Sequence, residues 1–231
     1  MQFAFPPQKP VAVPVDGLSG MFPVNRVYCV GRNYADHAKE MGGTGTEAPF
    51  FFMKPADAVL PVPHGTLGEM PYPPMTHDLQ HEIELVVAIG KRGKSIEVEL
   101  AMQYVWGYAI GFDMTRRDLQ GEAKKLGRPW TTGKAFDDSA PIAPIHPVAA
   151  TGLMKQGEIR LDVNGTCRQQ SDISKMLWNV AEVISHLSRF YTLRAGDLIF
   201  TGTPAGVAAV QPGDLLEGRI EGLGELRVKI A

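Results

Sequence analysis

Alternating carboxylates lead into an apolar run in His81-Glu82-Ile83-Glu84-Leu85-Val86-Val87. Successive side chains of a β-strand point to opposite faces, so the pattern predicts a strand over residues 82–89 with Glu82 and Glu84 on one face. Two like charges this close raise the pKa of one carboxyl unless a cation neutralises them, and a metal ion would do so. Taken alone, the segment is more often an exposed strand edge, because exposed glutamates are common.

Similar runs, separated by turn residues, occur along the rest of the chain, which has 25 glycines and 18 prolines. They predict further strands over residues 26–30, 105–112, 158–163, 197–201 and 226–230. Helical patterns cover residues 33–41, 115–126 with Thr115 as the cap, and 174–190. Short strands joined by a few helices indicate a β-rich α+β fold.

Length and composition limit the classes of protein. A chain of 231 residues fits one domain, here residues 25–231, after an N-terminal arm over residues 1–24. The net charge of -2 and the absence of basic clusters argue against a nucleic-acid partner. No apolar run approaches the roughly 20 residues of a membrane span, and no signal peptide is visible, so we expect a cytoplasmic protein.

Several polar side chains are candidates for a functional site because of their positions in the predicted elements. Asp113 ends an apolar strand pattern, and with Glu82 and Glu84 it would offer a hard-oxygen site suited to Mg²⁺, with Mn²⁺ or Ca²⁺ possible. His37 and Glu40 are three residues apart on a predicted helix and therefore lie on one face of it. They are either a catalytic dyad, in which Glu40 orients His37 as a base, or an ordinary helical charge pair. Lys134 lies among aromatic neighbours that predict burial of its stem.

Other features carry weaker predictions. The segment Gly42-Gly43-Thr44-Gly45-Thr46 is either a lid hinge or a plain solvent loop. His77 and His81 lack the order of a metalloprotease motif and are expected at the surface. Cys29 and Cys167 share no metal or disulfide spacing, so both are expected to be buried thiols.

Taken together, five segments resemble the fumarylacetoacetate hydrolase family in content and order. They are Gly31-Arg32-Asn33-Tyr34-Ala35-Asp36-His37-Ala38-Lys39-Glu40, Phe52-Met53-Lys54-Pro55, Glu82-Ile83-Glu84, the stretch from Asp113 through Gln120 to Lys134, and residues 196–207. The likeness covers nearly the whole chain after Asn25. It implies the family's mixed β-sheet roll with peripheral helices, assembled as a homodimer.

The resemblance also implies roles for individual residues. Glu82, Glu84 and Asp113 would hold the metal, His37 and Glu40 would activate water, and Lys134 would stabilise developing negative charge. Four further residues would contact the substrate: Lys54, Arg117, Gln120 and Thr203. A distal substrate carboxylate would need a cation, and the sequence offers Arg32, Arg116, Lys124 and Arg128 without placing any of them.

Within the family, the chain looks most similar to fumarylpyruvate and other acylpyruvate hydrolases, enzymes of aromatic compound catabolism. The expected reaction is metal-dependent hydrolysis of a carbon-carbon bond in a 2,4-dioxo acid, giving pyruvate and a carboxylic acid. An oxaloacetate decarboxylase or a dienoate isomerase/decarboxylase of the same fold is the first alternative. A non-catalytic, metal-stabilised binding protein is the second.

Overall fold

The computed structural model describes residues 2–40 and 48–231, so the glycine-rich segment at 42–46 lies outside the described residues. Each of the predicted strands has an observed counterpart. The strands are β1 (Ala12–Pro14), β2 (Met21–Pro23), β3 (Arg26–Gly31), β4 (Phe50–Lys54), β5 (Val59–Pro61), β6 (Gly68–Met70), β7 (Leu79–Gln80), β8 (Ile83–Ile89), β9 (Val105–Phe112), β10 (Thr115–Arg116), β11 (Ala140–Ile142), β12 (His146–Pro147), β13 (Glu158–Val163), β14 (Thr166–Asp172), β15 (Asp197–Phe200), β16 (Ala209–Val210), β17 (Leu215–Ile220) and β18 (Gly224–Ile230).

The helices are short and connect these strands, which confirms the β-rich α+β class. They are α1 (Ala35–Glu40), α2 (Val98–Ala101), α3 (Arg117–Lys125), α4 (Thr131–Lys134), α5 (Val148–Thr151) and α6 (Val180–Phe190), with 3₁₀ turns at Ala56–Ala58, Met102–Tyr104 and Ile173–Lys175. Among the described residues, no helix has the length and apolar character that crossing a membrane requires.

Two predicted helix starts are wrong. Thr115 does not cap α3, because it pairs with Gln80 in the short β10–β7 ladder and its hydroxyl donates to the Asp113 carbonyl. The helix predicted from residue 174 begins at Val180, after a capping box. In that box the Asn179 side chain accepts from the Glu182 N–H, and the Glu182 carboxylate accepts from the Asn179 N–H.

Among the described residues, four sheets form the roll. The largest has the strand order β4-β3-β15-β8-β9-β11-β5, with β12 beside β9, and mixes parallel pairs such as β15–β3 with antiparallel pairs such as β8–β9. The second has the order β14-β13-β17-β18-β6. Small sheets β10-β7-β16 and β1-β2 complete the set. Glu82 directly precedes β8 and Glu84 lies in it, near the centre of the largest sheet.

Strand β8 is buried on both faces, which explains its apolar run. Leu85 and Val87 belong to the larger core cluster, whereas Val86 and Ala88 belong to the smaller one on the opposite face. The period of two assigns Glu84 to the side of Val86. The predicted alternation therefore sets which face of β8 bears the carboxylates.

The first 24 residues contribute to the smaller core cluster. Strands β1 and β2 pair antiparallel, and their residues Val13 and Phe22 are buried there. Residues 2–10 are exposed. The division of the chain into an arm and a single domain at residue 24 stays a prediction.

Two predictions about single side chains are wrong. Cys167 is exposed, because it lies near the start of β14 at the edge of the second sheet, whereas Cys29 is buried in β3 as expected. His81 is fully buried, because its ring contacts the buried amide of Gln169 in β14, whereas His77 is exposed as predicted.

Candidate active site

Three buried carboxylates meet where β8 begins and β9 ends. Glu84 lies opposite Gly111 in the β8–β9 ladder, and the Asp113 N–H donates to the Glu82 carbonyl at 2.8 Å. One oxygen from each of Glu82, Glu84 and Asp113 lies within 4.8 Å of the others. The structure thus brings together the three predicted metal ligands.

Two lysines lie against this cluster. The Lys134 ammonium nitrogen is 2.7 Å from Glu82 Oε2 and 2.7 Å from Asp113 Oδ2. Lys54 Nζ lies 2.9 Å from Asp113 Oδ1 and donates to the carbonyls of Met114 and Lys134. Both lysines are buried, so their charges are poorly screened and neutralise part of the acidic cluster.

The three charges shift one another's protonation. Burial by itself would raise the pKa of Glu82, but the charges of Lys134 and Arg117 outweigh it and hold that pKa below its usual value. Burial, followed by the charges of Asp113 and Glu82, raises the pKa of Glu84 well above its usual value. Burial would lower the pKa of Lys134, but the same two carboxylates raise it, so the lysine stays charged.

Glu84 is therefore the carboxylate whose charge is least compensated. Its Oε2 accepts a 2.7 Å hydrogen bond from the Gly202 N–H, and no lysine or arginine in the described part of the chain forms an ion pair with it. Gly202 has φ +98°, and a Cβ there would lie 2.6 Å from the Asn33 Cβ. Buried like charges with hard oxygen donors suit a divalent cation such as Mg²⁺ or Mn²⁺.

The predicted dyad is also present. His37 Nδ1 lies 3.2 Å from Glu40 Oε2 within α1, and the Gly206 N–H approaches the Glu40 carboxylate at 3.4 Å. A carboxylate beside Nδ1 favours the tautomer with its proton on that nitrogen. The other ring nitrogen, Nε2, is then available to accept a proton.

Arg117 links the acidic cluster to the amide of Gln80 in β7 and to that of Gln120 in α3. Its guanidinium donates to Gln80 Oε1 at 2.7 Å, to Gln120 Oε1 at 2.7 Å and to Glu82 Oε1 at 2.5 Å. This fork orients both the Gln120 amide and the Glu82 carboxylate. The ion pair with Glu82 also neutralises the positive charge of Arg117 inside the protein.

A single cavity unites most of the predicted residues. Its wall includes His37, Glu82, Glu84, Asp113, Arg117, Gln120, Lys134 and Thr203. Two predicted residues are not part of the wall formed by the described residues. Glu40 lies behind His37, and Lys54 contacts Asp113. The assigned roles of all these residues stay predictions.

Gln169, which sequence reasoning missed, supports the site from β14. Its Oε1 lies 3.0 Å from His81 Nδ1 and accepts from the Ile83 N–H at 3.1 Å, while its Nε2 donates to Thr203 Oγ1 and the Pro204 carbonyl at 2.8 Å each. The amide therefore joins both neighbours of Glu82 to a residue of the cavity wall.

The family follows from comparison with known proteins. The model of the fumarylacetoacetate (FAA) hydrolase C-terminal family matches residues 26–231. The chain belongs to the fumarylacetoacetate hydrolase family. The carboxylates, the dyad and the cavity all lie within the matched residues, and the mixed-sheet fold is the one expected for this family.

Members of the family with described activities are similar over most of the chain. A crystal structure of fumarylpyruvate hydrolase from Pseudomonas aeruginosa in complex with Mn²⁺ and pyruvate is 54% identical, with a TM-score of 0.99, covering 100% of this chain and 99% of that one. A fumarylpyruvate hydrolase from a Ralstonia species is 46% identical over 69% of this chain and 82% of its own length. A mitochondrial oxaloacetate tautomerase from Rattus norvegicus is 42% identical over 88% of this chain and 90% of its own.

Proposed function

We propose that this protein is a metal-dependent fumarylpyruvate hydrolase that cleaves a carbon-carbon bond to give pyruvate and a dicarboxylic acid. The observation that carries the proposal is the meeting of a three-carboxylate cluster with the His37–Glu40 dyad in one cavity. The 54% identity to the fumarylpyruvate hydrolase of P. aeruginosa, which was crystallised with Mn²⁺ and pyruvate, supports it.

The donor set fits a divalent cation held by Glu82, Glu84 and Asp113, either Mg²⁺ or Mn²⁺, with Ca²⁺ also accommodated by oxygen ligands. When bound, such a cation acts as a Lewis acid that polarises substrate oxygens and lowers the free energy of the negative charge that builds up during cleavage. Lys134 and Arg117 hold the pKa of Glu82 below its usual value despite its burial, so this ligand is ionised. Lys54 Nζ lies 2.9 Å from Asp113 Oδ1.

His37 supplies the base in this proposal. Nε2 removes a proton from water, and the resulting hydroxide adds to the 4-carbonyl carbon of the substrate. Glu40, 3.2 Å from Nδ1, stabilises the imidazolium that forms. The bond between carbons 3 and 4 then breaks, its electron pair leaves with the three-carbon fragment, and that fragment takes up a proton to give pyruvate. One water is consumed for each bond cleaved.

Lys134 and Gln120 add fixed donors beside the reacting groups. Lys134 is buried and charged, so its ammonium is a strong donor where negative charge develops. Gln120 is held by Arg117 through its Oε1, which leaves the amide N–H groups for the cavity. Thr203, fixed by Gln169, offers a hydroxyl on the same wall.

The test follows pyruvate release with Mn²⁺ present from fumarylpyruvate, acetylpyruvate and oxaloacetate. We expect fumarylpyruvate to be the best substrate and His37→Ala to lower its kcat about 100-fold or more, because general-base catalysis contributes that much. His77→Ala, which removes an exposed histidine, is the matched control. Full activity of His37→Ala on fumarylpyruvate would remove the base assignment.

The second candidate is tautomerisation or decarboxylation of oxaloacetate, which the 42% identical tautomerase favours. Neither reaction needs hydroxide. Faster pyruvate release from oxaloacetate than from either acylpyruvate would identify the decarboxylase, and faster keto–enol conversion of oxaloacetate, followed by its ultraviolet absorbance, would identify the tautomerase; His37→Ala should affect either rate little. A non-catalytic binding protein would instead lose stability with a chelator and release no pyruvate from any of the three compounds.

We further propose that the enzyme acts in the cytoplasm as a homodimer. Leu18 and Met21 are exposed apolar side chains next to the partly buried Trp106. Such an apolar surface supports the proposal that a second copy of the chain covers it. Light scattering of the protein as it elutes from a size-exclusion column should give twice the chain mass of 25.2 kDa. A monomeric mass would refute the dimer and leave the chemistry unaffected.

A further inference from the structure

The cavity changes character along its length. Its buried part holds the carboxylates and Lys134, whereas its solvent-facing part holds half-buried Arg32 and exposed Lys124. Arg117 is committed to Glu82 and two amides, as described above. Among the described residues, Arg32 and Lys124 are the cations in the solvent-facing part of this wall.

Arg32 has an unusual backbone conformation for a long side chain. Its φ is +57°, in the left-handed region, and its guanidinium carbon lies 6.0 Å from the centre of the Phe50 ring. Within residues 2–40 and 48–231, no carboxylate forms an ion pair with it. Such strained positions persist where the surroundings hold them and are concentrated at ligand sites.

Lys124 lies close enough to other cations to be affected by them. Burial, followed by the charges of Arg32 and Arg117, lowers the pKa of Lys124. A ligand carboxylate between Arg32 and Lys124 would relieve this repulsion and could form charge-assisted hydrogen bonds with both.

The other two cations considered from sequence lie elsewhere. The Arg116 guanidinium carbon is 4.4 Å from the centre of the Phe136 ring, and its Nη1 donates to the Thr132 carbonyl at 3.3 Å. Arg128 is exposed and lies 3.9 Å from Glu122. Neither belongs to the cavity wall.

Aromatic rings line the same cavity. The Trp130 ring lies edge-on to Phe50 at 5.4 Å and tilted against Phe52 at 5.8 Å, and all three side chains belong to the wall. A flat, apolar segment of substrate fits such a surface.

We propose that Arg32 and Lys124 bind the distal carboxylate of the substrate's acyl group, while a planar unsaturated chain lies along the aromatic wall. This inference rests on the proposed function and deepens it. It makes these two residues determinants of specificity for acyl groups that end in a carboxylate, and it gives them no part in bond cleavage.

Two substrates that differ only at the tail test this. Crotonylpyruvate carries a methyl group where fumarylpyruvate carries the distal carboxylate. We expect Arg32→Met and Lys124→Met each to lower kcat/KM for fumarylpyruvate about 10- to 100-fold, the range for loss of a charged hydrogen bond. Neither variant should change kcat/KM for crotonylpyruvate. An equal fall for both substrates, or no fall for fumarylpyruvate, would overturn the proposal.

Matched controls are available close by. Lys125→Met removes the next lysine of α3, and Arg128→Met removes an exposed arginine, and neither residue lines the cavity. Both controls should keep the preference for fumarylpyruvate.

Calorimetric binding of fumarate and crotonate to the Mn²⁺-loaded protein separates this inference from the proposed function. If the unmodified protein releases no pyruvate from either substrate, the reaction is refuted, and fumarate binding then decides the inference alone. Weaker fumarate binding in Arg32→Met/Lys124→Met, with crotonate unchanged, would support the carboxylate site. Equal fumarate affinity, or no fumarate binding by the unmodified protein, would overturn it.

Discussion

Replacing Gln169 with methionine keeps the side-chain length and removes the amide that supports the site. The Gln169 Nε2 donates to Thr203 and Pro204, so its Oε1 faces His81 and Ile83 and accepts from both. Gln169 and His81 are 0% exposed, so the two donors that lose their acceptor cannot turn to water. Each such loss costs about 1–3 kcal/mol, and together they should lower the free energy of unfolding by about 2–6 kcal/mol.

Urea unfolding with a chelator present, at equal protein concentrations, measures this loss without a contribution from bound metal. Gln170→Met is the control, because Gln170 is exposed and its amide contacts only groups near the surface, the Glu158 carboxylate and the exposed Cys167 thiol among the described residues. We expect Gln170→Met to stay within about 0.5 kcal/mol of the unmodified protein. Because the anchored residues flank Glu82, Gln169→Met should also weaken Mn²⁺ binding about 10- to 100-fold. Equal stabilities and Mn²⁺ affinities for the two variants would refute the reasoning.

Three further predictions concern separate parts of the molecule. Lys134→Met should lower kcat on fumarylpyruvate about 100- to 1000-fold, measured by pyruvate release, because it removes a preorganised donor; a fall below tenfold would contradict this. Burial would raise the pKa of Asp118, but hydrogen bonds from the Thr76 hydroxyl and the His77 and Leu119 N–H groups lower it below 3.8. The unfolded chain therefore binds a proton at higher pH than the folded protein does. The free energy of unfolding should decline as the pH falls from just above 3.8, and Asp118→Asn should flatten that decline in chelator-treated protein. Equal slopes of this free energy against pH in the two proteins would refute the prediction. A thiol reagent should modify Cys167 rapidly and Cys29 only after unfolding, because Cys29 is buried and its pKa is raised by that burial; equal rates would contradict the burial.

The central strand and the carboxylate cluster could be predicted because their signals are local. The alternation across residues 82–89 sets the faces of β8, and the end of the next strand pattern supplies Asp113. A pairing of neighbouring strands then brings these oxygens together. His37 and Glu40 lie within one helical turn, so their contact is also local.

Gln169 and the position of Thr115 could not be predicted in this way. Gln169 lies between exposed residues in β14, and its partners are 34 to 88 positions away in sequence. Thr115 has good capping chemistry, but its pairing with Gln80 keeps it extended. In both cases a contact between distant segments determines the outcome. The start of α6 is predicted wrongly for another reason: the Asn179–Glu182 capping box is a local signal, but the helix is predicted from residue 174 instead.

Calorimetric titration with Mn²⁺ tests most directly whether Glu82, Glu84 and Asp113 share one cation. The unmodified protein should bind one ion per chain. Glu84→Gln keeps an acceptor for the Gly202 N–H but loses the charge, and it should abolish measurable binding. Glu69→Gln, at an exposed carboxylate of β6, should bind like the unmodified protein. If Glu84→Gln binds Mn²⁺ as tightly as the unmodified protein does, the cation does not lie among these three carboxylates, and the proposed chemistry is contradicted.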